Sequence, residues 1–217
     1  MSASIQPSGT ASNERFAKVA PEPAIERTAV ALRERGHEVV VVGTRAEALQ
    51  VLLDRIPAGS EVFTSTSETL REIGFLSAIA GSGRYELLRD QVTRLKLDPA
   101  KDAKEIKRLF AAPEVVVGSV HAVTQDGQIL VASMSGSQIG LYAYSATRMI
   151  WVVGGQKIVS DLTEGLQRLE EHSLPKEDVR AHQAYGLPSS LNKILIIRKE
   201  GVPGRTLIIL VREALGF

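Results

Sequence analysis

Residues 114–159 read EVVVGSVHAVTQDGQILVASMSGSQIGLYAYSATRMIWVVGGQKIV. Two apolar runs bracket the stretch, at 115–117 and 149–153. Both are short, and apolar at consecutive positions, as strands buried on both faces of a parallel sheet are. Between them, residues 120–124 and 128–132 flank Gln125-Asp126-Gly127. Asp-Gly is a hairpin turn signal because glycine accepts positive φ. Ser133 to Gln138, SMSGSQ, forms a hydroxyl- and glycine-rich loop, and residues 139–147 are expected to continue it as a helix.

Moving outward, the same alternation repeats. Residues 23–35 place apolar side chains at three- and four-residue spacing, and Gly36 ends them as a helix C-cap. EVVVV at 38–42 is a buried strand. Thr44 with Glu47 three residues on is a capping box for the next helix. EVFTS at 61–65 is a strand that runs into TSTSETLREIGF, where Thr66 or Ser67 can cap a helix from Glu68. Residues 84–112 are expected to be mostly helical, with Asp98-Pro99 opening one helix. Asp161 and Glu164 cap another, and 175–184 form a polar helix. Residues 193–198 and 206–211 pair in length across a turn-rich KEGVPGR, as a terminal hairpin or as two strands of the sheet. Strands alternating with helices predict an α/β fold, a Rossmann-like, mostly parallel sheet flanked by helices on both faces. Residues 1–20 are expected to be a flexible tail, with a short helix available at 13–20, and residues 21–217 a single domain.

Composition narrows the function. Lys and Arg number 26 and Asp and Glu 25, for a net charge of +1, which gives no reason to expect nucleic acid or an anionic membrane as partner. The basic residues near 96–108 alternate with Asp98, Asp102 and Glu105, as on a solvated helix face. The chain has no cysteine, so it supplies no disulfide, no thiolate nucleophile and no iron–sulfur ligand. No apolar run reaches the length of a membrane span, and the first residues lack a secretory signal pattern. A cytoplasmic protein is the expectation.

Two loops offer the small residues that let backbone N–H groups approach an anion. One holds Thr64, Ser65, Thr66, Ser67 and Thr69. The other holds Ser135, Gly136, Ser137 and Gln138. Each follows a strand and precedes a helix, where ligands of open α/β sheets sit. Neither matches a dinucleotide fingerprint or a P-loop. Lys157 and Lys193 border apolar strands, placed either to reach a carboxylate or phosphate or to end in solvent, and Arg205 is a loop cation. His121, at the carboxyl end of a central strand, is a candidate general base or hydrogen-bond donor, or else a histidine satisfied near the core. No histidine pair has metal-ligand spacing, so no metal is expected. No Ser/His/acid set stands out.

GSVHAVTQDGQILVASMSGSQIGLYAYSATRMIWVVGGQKIVSDL, together with NKILIIRKEGVPGRTLIILVREALGF, resembles the LUD-domain (lactate-utilisation) proteins of the LutC/YkgG-like group. The resemblance covers about residues 24–217. It implies a fold of the NagB/RpiA/CoA-transferase-like type, whose isomerases hold phosphate in a loop that looks like residues 64–69. It places His121, or by another alignment Val120, where some of those isomerases carry a catalytic acid. It further implies a component of L-lactate oxidation to pyruvate whose iron–sulfur clusters reside on partner proteins, with no cofactor in this chain. The alternatives are a stand-alone enzyme, or a binding module, for a phosphorylated or CoA-linked small metabolite. A homodimer through the apolar terminal strands is also possible.

Overall fold

The structure, a computed structural model, describes residues 11–217. Of the tail expected over 1–20, residues 1–10 lie outside the described residues. From Asn13 the chain is packed. A 3-10 turn, Glu14–Ala17, is capped by Asn13, whose N–H donates to the Glu171 carbonyl at 2.7 Å. Phe16 is buried in it, against Leu130 and Leu169.

Among the described residues the strands form two sheets. The first is six-stranded and parallel throughout, from β1 (Glu38–Val42), β2 (Glu61–Thr64), β3 (Glu86–Leu87), β4 (Val115–Gly118), β7 (Arg148–Gly154) and β10 (Thr206–Val211), in the order β1-β10-β7-β4-β2-β3. The second comprises β5 (Ala122–Thr124), β6 (Ile129–Ser133), β8 (Ile158–Val159) and β9 (Lys193–Ile197), in the order β8-β5-β6-β9. Here β5 and β6 are the antiparallel hairpin closed by Asp126-Gly127, with Gly127 at φ +85°.

Side chains of the large sheet alternate between two cores, as the two-residue period of a strand requires. Phe63, Val116, Met149, Trp151, Ile208 and Leu210 face one way, onto helix α1 (Glu22–Glu34) and the small sheet. Val62, Val117, Ile150, Val152, Leu207 and Ile209 face the other. They meet α2 (Arg45–Arg55), α3 (Glu68–Glu72) and α4 (Phe75–Ile79). Each fully buried Ile or Leu contributes about 1.5–3 kcal/mol relative to exposure. Thr44, Ser67 and Asp161 cap helices as the sequence suggests, each accepting a backbone N–H in the first turn.

Several expectations change. The stretch 84–112 contains β3, α5 (Leu88–Arg94) and α6 (Ala103–Leu109), and Asp98-Pro99 precedes a turn rather than a helix. Asp98 Oδ1 accepts the Ala100 N–H at 2.8 Å, an Asx turn that competes with the helix there. The helix expected over 139–147 is present over 139–145, with its last five residues, Leu141–Ser145, in a π turn. The two terminal strands do not pair with each other. β10, apolar at every position but Thr206, runs between β1 and β7; β9, whose Ile194 and Ile196 are exposed, lies antiparallel to β6 at the edge of the small sheet. A second sheet is not foreseen from the sequence: it joins α1 on one face of the large sheet, so helices flank both faces as expected. Helix α7 (Leu162–Arg168), a π turn (Leu169–Ser173) and α8 (Leu174–Tyr185) follow without a break.

Candidate functional site

Strands β7, β4 and β2 are neighbours and parallel, so the residues that follow them emerge at one edge of the sheet. After β2 come Thr66, Ser67 and Thr69, after β4 Ser119, Val120 and His121, and after β7 Lys157. All seven line one cavity of about 500 Å³. Ser135, Ser137 and Gln138 of the loop after β6 form another wall. α8 and the loop at 186–191 close the side facing them, through Glu177, Arg180, Tyr185 and Leu187.

Lys157 lies in the wall at 2% exposure. Its Nζ donates to Thr69 Oγ1 and to Ser119 Oγ, both at 3.0 Å. The hydroxyls pass their own hydrogens on, Thr69 to the Leu215 carbonyl at 3.1 Å and Ser119 to the Val152 carbonyl at 2.7 Å. No carboxylate among the described residues forms an ion pair with Lys157. Burial, reinforced by the nearby Arg168 charge, holds its pKa well below the ordinary lysine value.

Arg168, at the end of α7, is fully buried behind this wall. It donates to the His121 carbonyl, to the Gln156 carbonyl at 3.4 Å and to Ser173 Oγ at 3.0 Å. Among the described residues its Nη2 is buried with no hydrogen-bond partner, and no carboxylate forms an ion pair with it. Burial pushes its pKa down to about 9, so it remains cationic at neutral pH. Two buried basic groups therefore lie close together with no direct ion pair to either among the described residues; the acid felt by Lys157 is Glu72, whose charge pulls its pKa back up against burial.

His121 is held by its ring. Nδ1 accepts the Ala132 backbone N–H at 3.2 Å, which places the imidazole hydrogen on Nε2. Burial first, then the charges of Lys157 and Arg168, push its pKa down to about 3. A neutral imidazole with its lone pair already engaged offers an N–H donor and cannot serve as a base. Of the roles open to His121, the geometry favours donor.

The remaining candidates fall outside the cavity. Thr64 borders a smaller hollow of about 230 Å³ together with Leu76 and Arg89. Ser65 lies behind the wall, where its Oγ accepts the Tyr142 hydroxyl at 2.9 Å. Gly136 shapes its loop at φ +84°, and a side chain there would press on the Lys193 stem. Lys193 in turn donates to the Met134 carbonyl at 3.4 Å. Ser119, Arg168, Glu177 and Arg180 went unrecognised in the sequence. Ser119 is distinguished there only by following a strand. Arg180 is bound to Glu177 at both nitrogens, at 2.6 and 2.7 Å, an i,i+3 spacing that looks like any surface helix pair. Among the described residues no cluster of His, Asp and Glu is arranged to hold a metal ion, and no helix is long and apolar enough to cross a membrane.

The fold has solved relatives. A DUF162-family protein from Deinococcus radiodurans superposes with a TM-score of 0.54 at 16% identity, over 89% of this chain and 99% of that one. No curated protein matches the chain. The family model described as the LUD domain matches residues 25–211, from the start of α1 to the end of β10. The chain is a member of the LUD-domain family.

Proposed function

We propose that this chain is a component of L-lactate, or related organic-acid, utilisation, and that its cavity binds the small carboxylate. Membership of the LUD family, linked in general to lactate utilisation, supports the class of process. The observation that carries the binding role is Lys157: a buried amine in a cavity wall, held by two hydroxyls, with Arg168 behind it and no ion pair to either among the described residues. Oxidation of lactate to pyruvate releases two electrons and two protons. A chain without cysteine holds no iron–sulfur cluster, so in this reading the electrons pass to iron–sulfur partner proteins. Thermal shift with lactate and pyruvate tests the binding role. A rise in Tm with either supports it, and no rise at saturating concentrations of both ends it. Loss of the gene with unchanged growth on lactate would count against the wider role.

A second reading rests on size. A cavity of about 500 Å³ lies in the range of drug-sized ligands and is far larger than lactate needs. A phosphorylated or CoA-linked metabolite would use the same cations and fill the space between α8 and the loop after β6. Sugar phosphates or CoA thioesters raising Tm where lactate and pyruvate do not would favour it.

A further inference from the structure

Lys157 has the hydrogen-bond arrangement of a nucleophile as well as that of a cation. An ammonium carries three hydrogens; a neutral amine carries two and a lone pair. The protein supplies two acceptors, the Thr69 and Ser119 hydroxyls, and both have already committed their own hydrogens to backbone carbonyls. Two hydrogens of the neutral amine are thus accounted for. The remaining tetrahedral position of Nζ belongs to the lone pair, on a residue that lines the cavity. Burial first and then the Arg168 charge favour the neutral form, against a smaller opposing pull from the Glu72 carboxylate. His121 lies in the same wall with Nε2–H free of any protein partner among the described residues. A neutral imidazole is suited to polarise a carbonyl oxygen without taking its proton.

The geometry points to Lys157 as a nucleophile that captures the carbonyl carbon of an α-oxo acid as a Schiff base, with His121 donating a hydrogen bond to the carbonyl oxygen. This rests on the reading that the cavity takes a small organic acid. The Nζ lone pair forms the new N–C bond while the π pair of the carbonyl moves to oxygen. One amine hydrogen leaves as a proton and the oxygen gains one, exchanged through water in the cavity, to give the carbinolamine. Loss of water, with the second amine hydrogen leaving as a proton, forms the C=N bond. The net change is amine plus carbonyl to imine plus water, with no oxidant or reductant. A solvent proton then makes the iminium, which places a positive charge beside the acid's own carboxylate. A hydroxy acid has no ketone carbonyl and can be held only as an anion. Lys157 would therefore distinguish an oxo acid from its hydroxy-acid counterpart by covalent capture.

The test is reductive trapping. The full chain is incubated with pyruvate and sodium cyanoborohydride, then analysed by intact mass and peptide mapping, with thermal shift in parallel. One equivalent of reduced adduct at Lys157 is expected, none with lactate in place of pyruvate, and none in Lys157→Arg, which keeps a cation. Mapping of the unaltered chain decides the matter even where that variant fails to fold. A Tm rise with pyruvate but no adduct at Lys157 overturns the nucleophile and leaves the acid-binding role standing. No Tm rise with pyruvate or lactate and no adduct overturns both. Label spread over surface lysines without preference for Lys157 overturns the nucleophile.

Discussion

Two buried basic clusters lie in this chain, and they are built in opposite ways. Arg205 precedes β10 and meets Glu200 at 2.8 Å, with side chains only 10% and 9% exposed. Its other nitrogens donate to the Ala146, Leu141 and Tyr142 carbonyls at 3.0–3.3 Å, closing the π turn at 141–145. Among the described residues Lys157 and Arg168 have hydroxyls and carbonyls for partners, no direct ion pair, and one nitrogen without a hydrogen bond. A buried cation without a counter-charge is costly to a folded protein unless something else compensates it. The paired cluster explains itself as structure. The proposed ligand would account for the unpaired one.

That contrast can be broken most directly at Arg205. Arg205→Met leaves Glu200 buried without its partner and takes a donor from three carbonyls, of which Leu141's keeps the Ala146 N–H at 3.2 Å. A loss of about 3–5 kcal/mol of stability is expected, read by denaturant unfolding. Lys157→Met strands no charge, since only two hydroxyls lose a donor and each keeps its carbonyl. Its stability is expected to hold or rise, while affinity for a carboxylate falls roughly 10- to 100-fold, as loss of a charged hydrogen bond of about 1.5–3 kcal/mol implies. Calorimetry with the bound acid and a melting curve separate the two effects. If Lys157→Met unfolds the protein while Arg205→Met is tolerated, the assignment of roles is reversed.

Protons sharpen the same contrast. The folded-state pKa of Lys157 is lowered by burial and by Arg168. Between that lowered value and the ordinary lysine value of about 10.4, the unfolded chain binds more protons than the folded one, so stability without ligand rises with pH. A bound anion favours the ammonium. Its affinity falls over the same window, by at most about tenfold per pH unit. Opposite slopes for stability and affinity are the expected result. At the acid end, burial lowers His37 and His172 to about 4 and His121 to about 3. Each contributes stability that is present above the unfolded-chain value of about 6.5 and is lost as pH falls toward its folded value. Melting curves between those limits should show a steady fall.

Much of the scaffold was legible because its signals are local. Uninterrupted apolar runs at 39–42, 115–117 and 149–153 became parallel strands, the Asp126-Gly127 turn became a hairpin, and Thr44, Ser67 and Asp161 became helix caps. The site was legible only where a residue type and a strand end coincided, as at Lys157 and His121. Ser119 and Arg168 were not, because their meaning comes from partners 38 and 47 residues away, Lys157 Nζ and the His121 carbonyl. The separation of β9 from β10 was hidden for a similar reason: equal length and an intervening turn suit a hairpin, while the choice of partner depends on which sheet can bury both faces. β10 is buried at all six positions, and β9 alternates.

Tyr142 joins the two basic clusters and tests whether they act independently. Its carbonyl accepts from Arg205, and its hydroxyl reaches Ser65 Oγ at 2.9 Å and the Ser119 carbonyl at 3.3 Å. Gly118 is required beside it, since a Cβ there would overlap the hydroxyl. Tyr142→Phe removes the hydroxyl and keeps the ring against Trp151, at a centroid distance of 5.4 Å. About 1 kcal/mol of stability should be lost. Because Ser119 holds Lys157 through Oγ and meets Tyr142 through its carbonyl, carboxylate affinity should change by less than about threefold, under 1 kcal/mol. Gly118→Ala should cost about 1–3 kcal/mol alone and less in the Tyr142→Phe background, where the colliding oxygen is gone. If Tyr142→Phe weakens the bound acid as much as Lys157→Met does, the hydroxyl belongs to the ligand site and the two clusters are one unit.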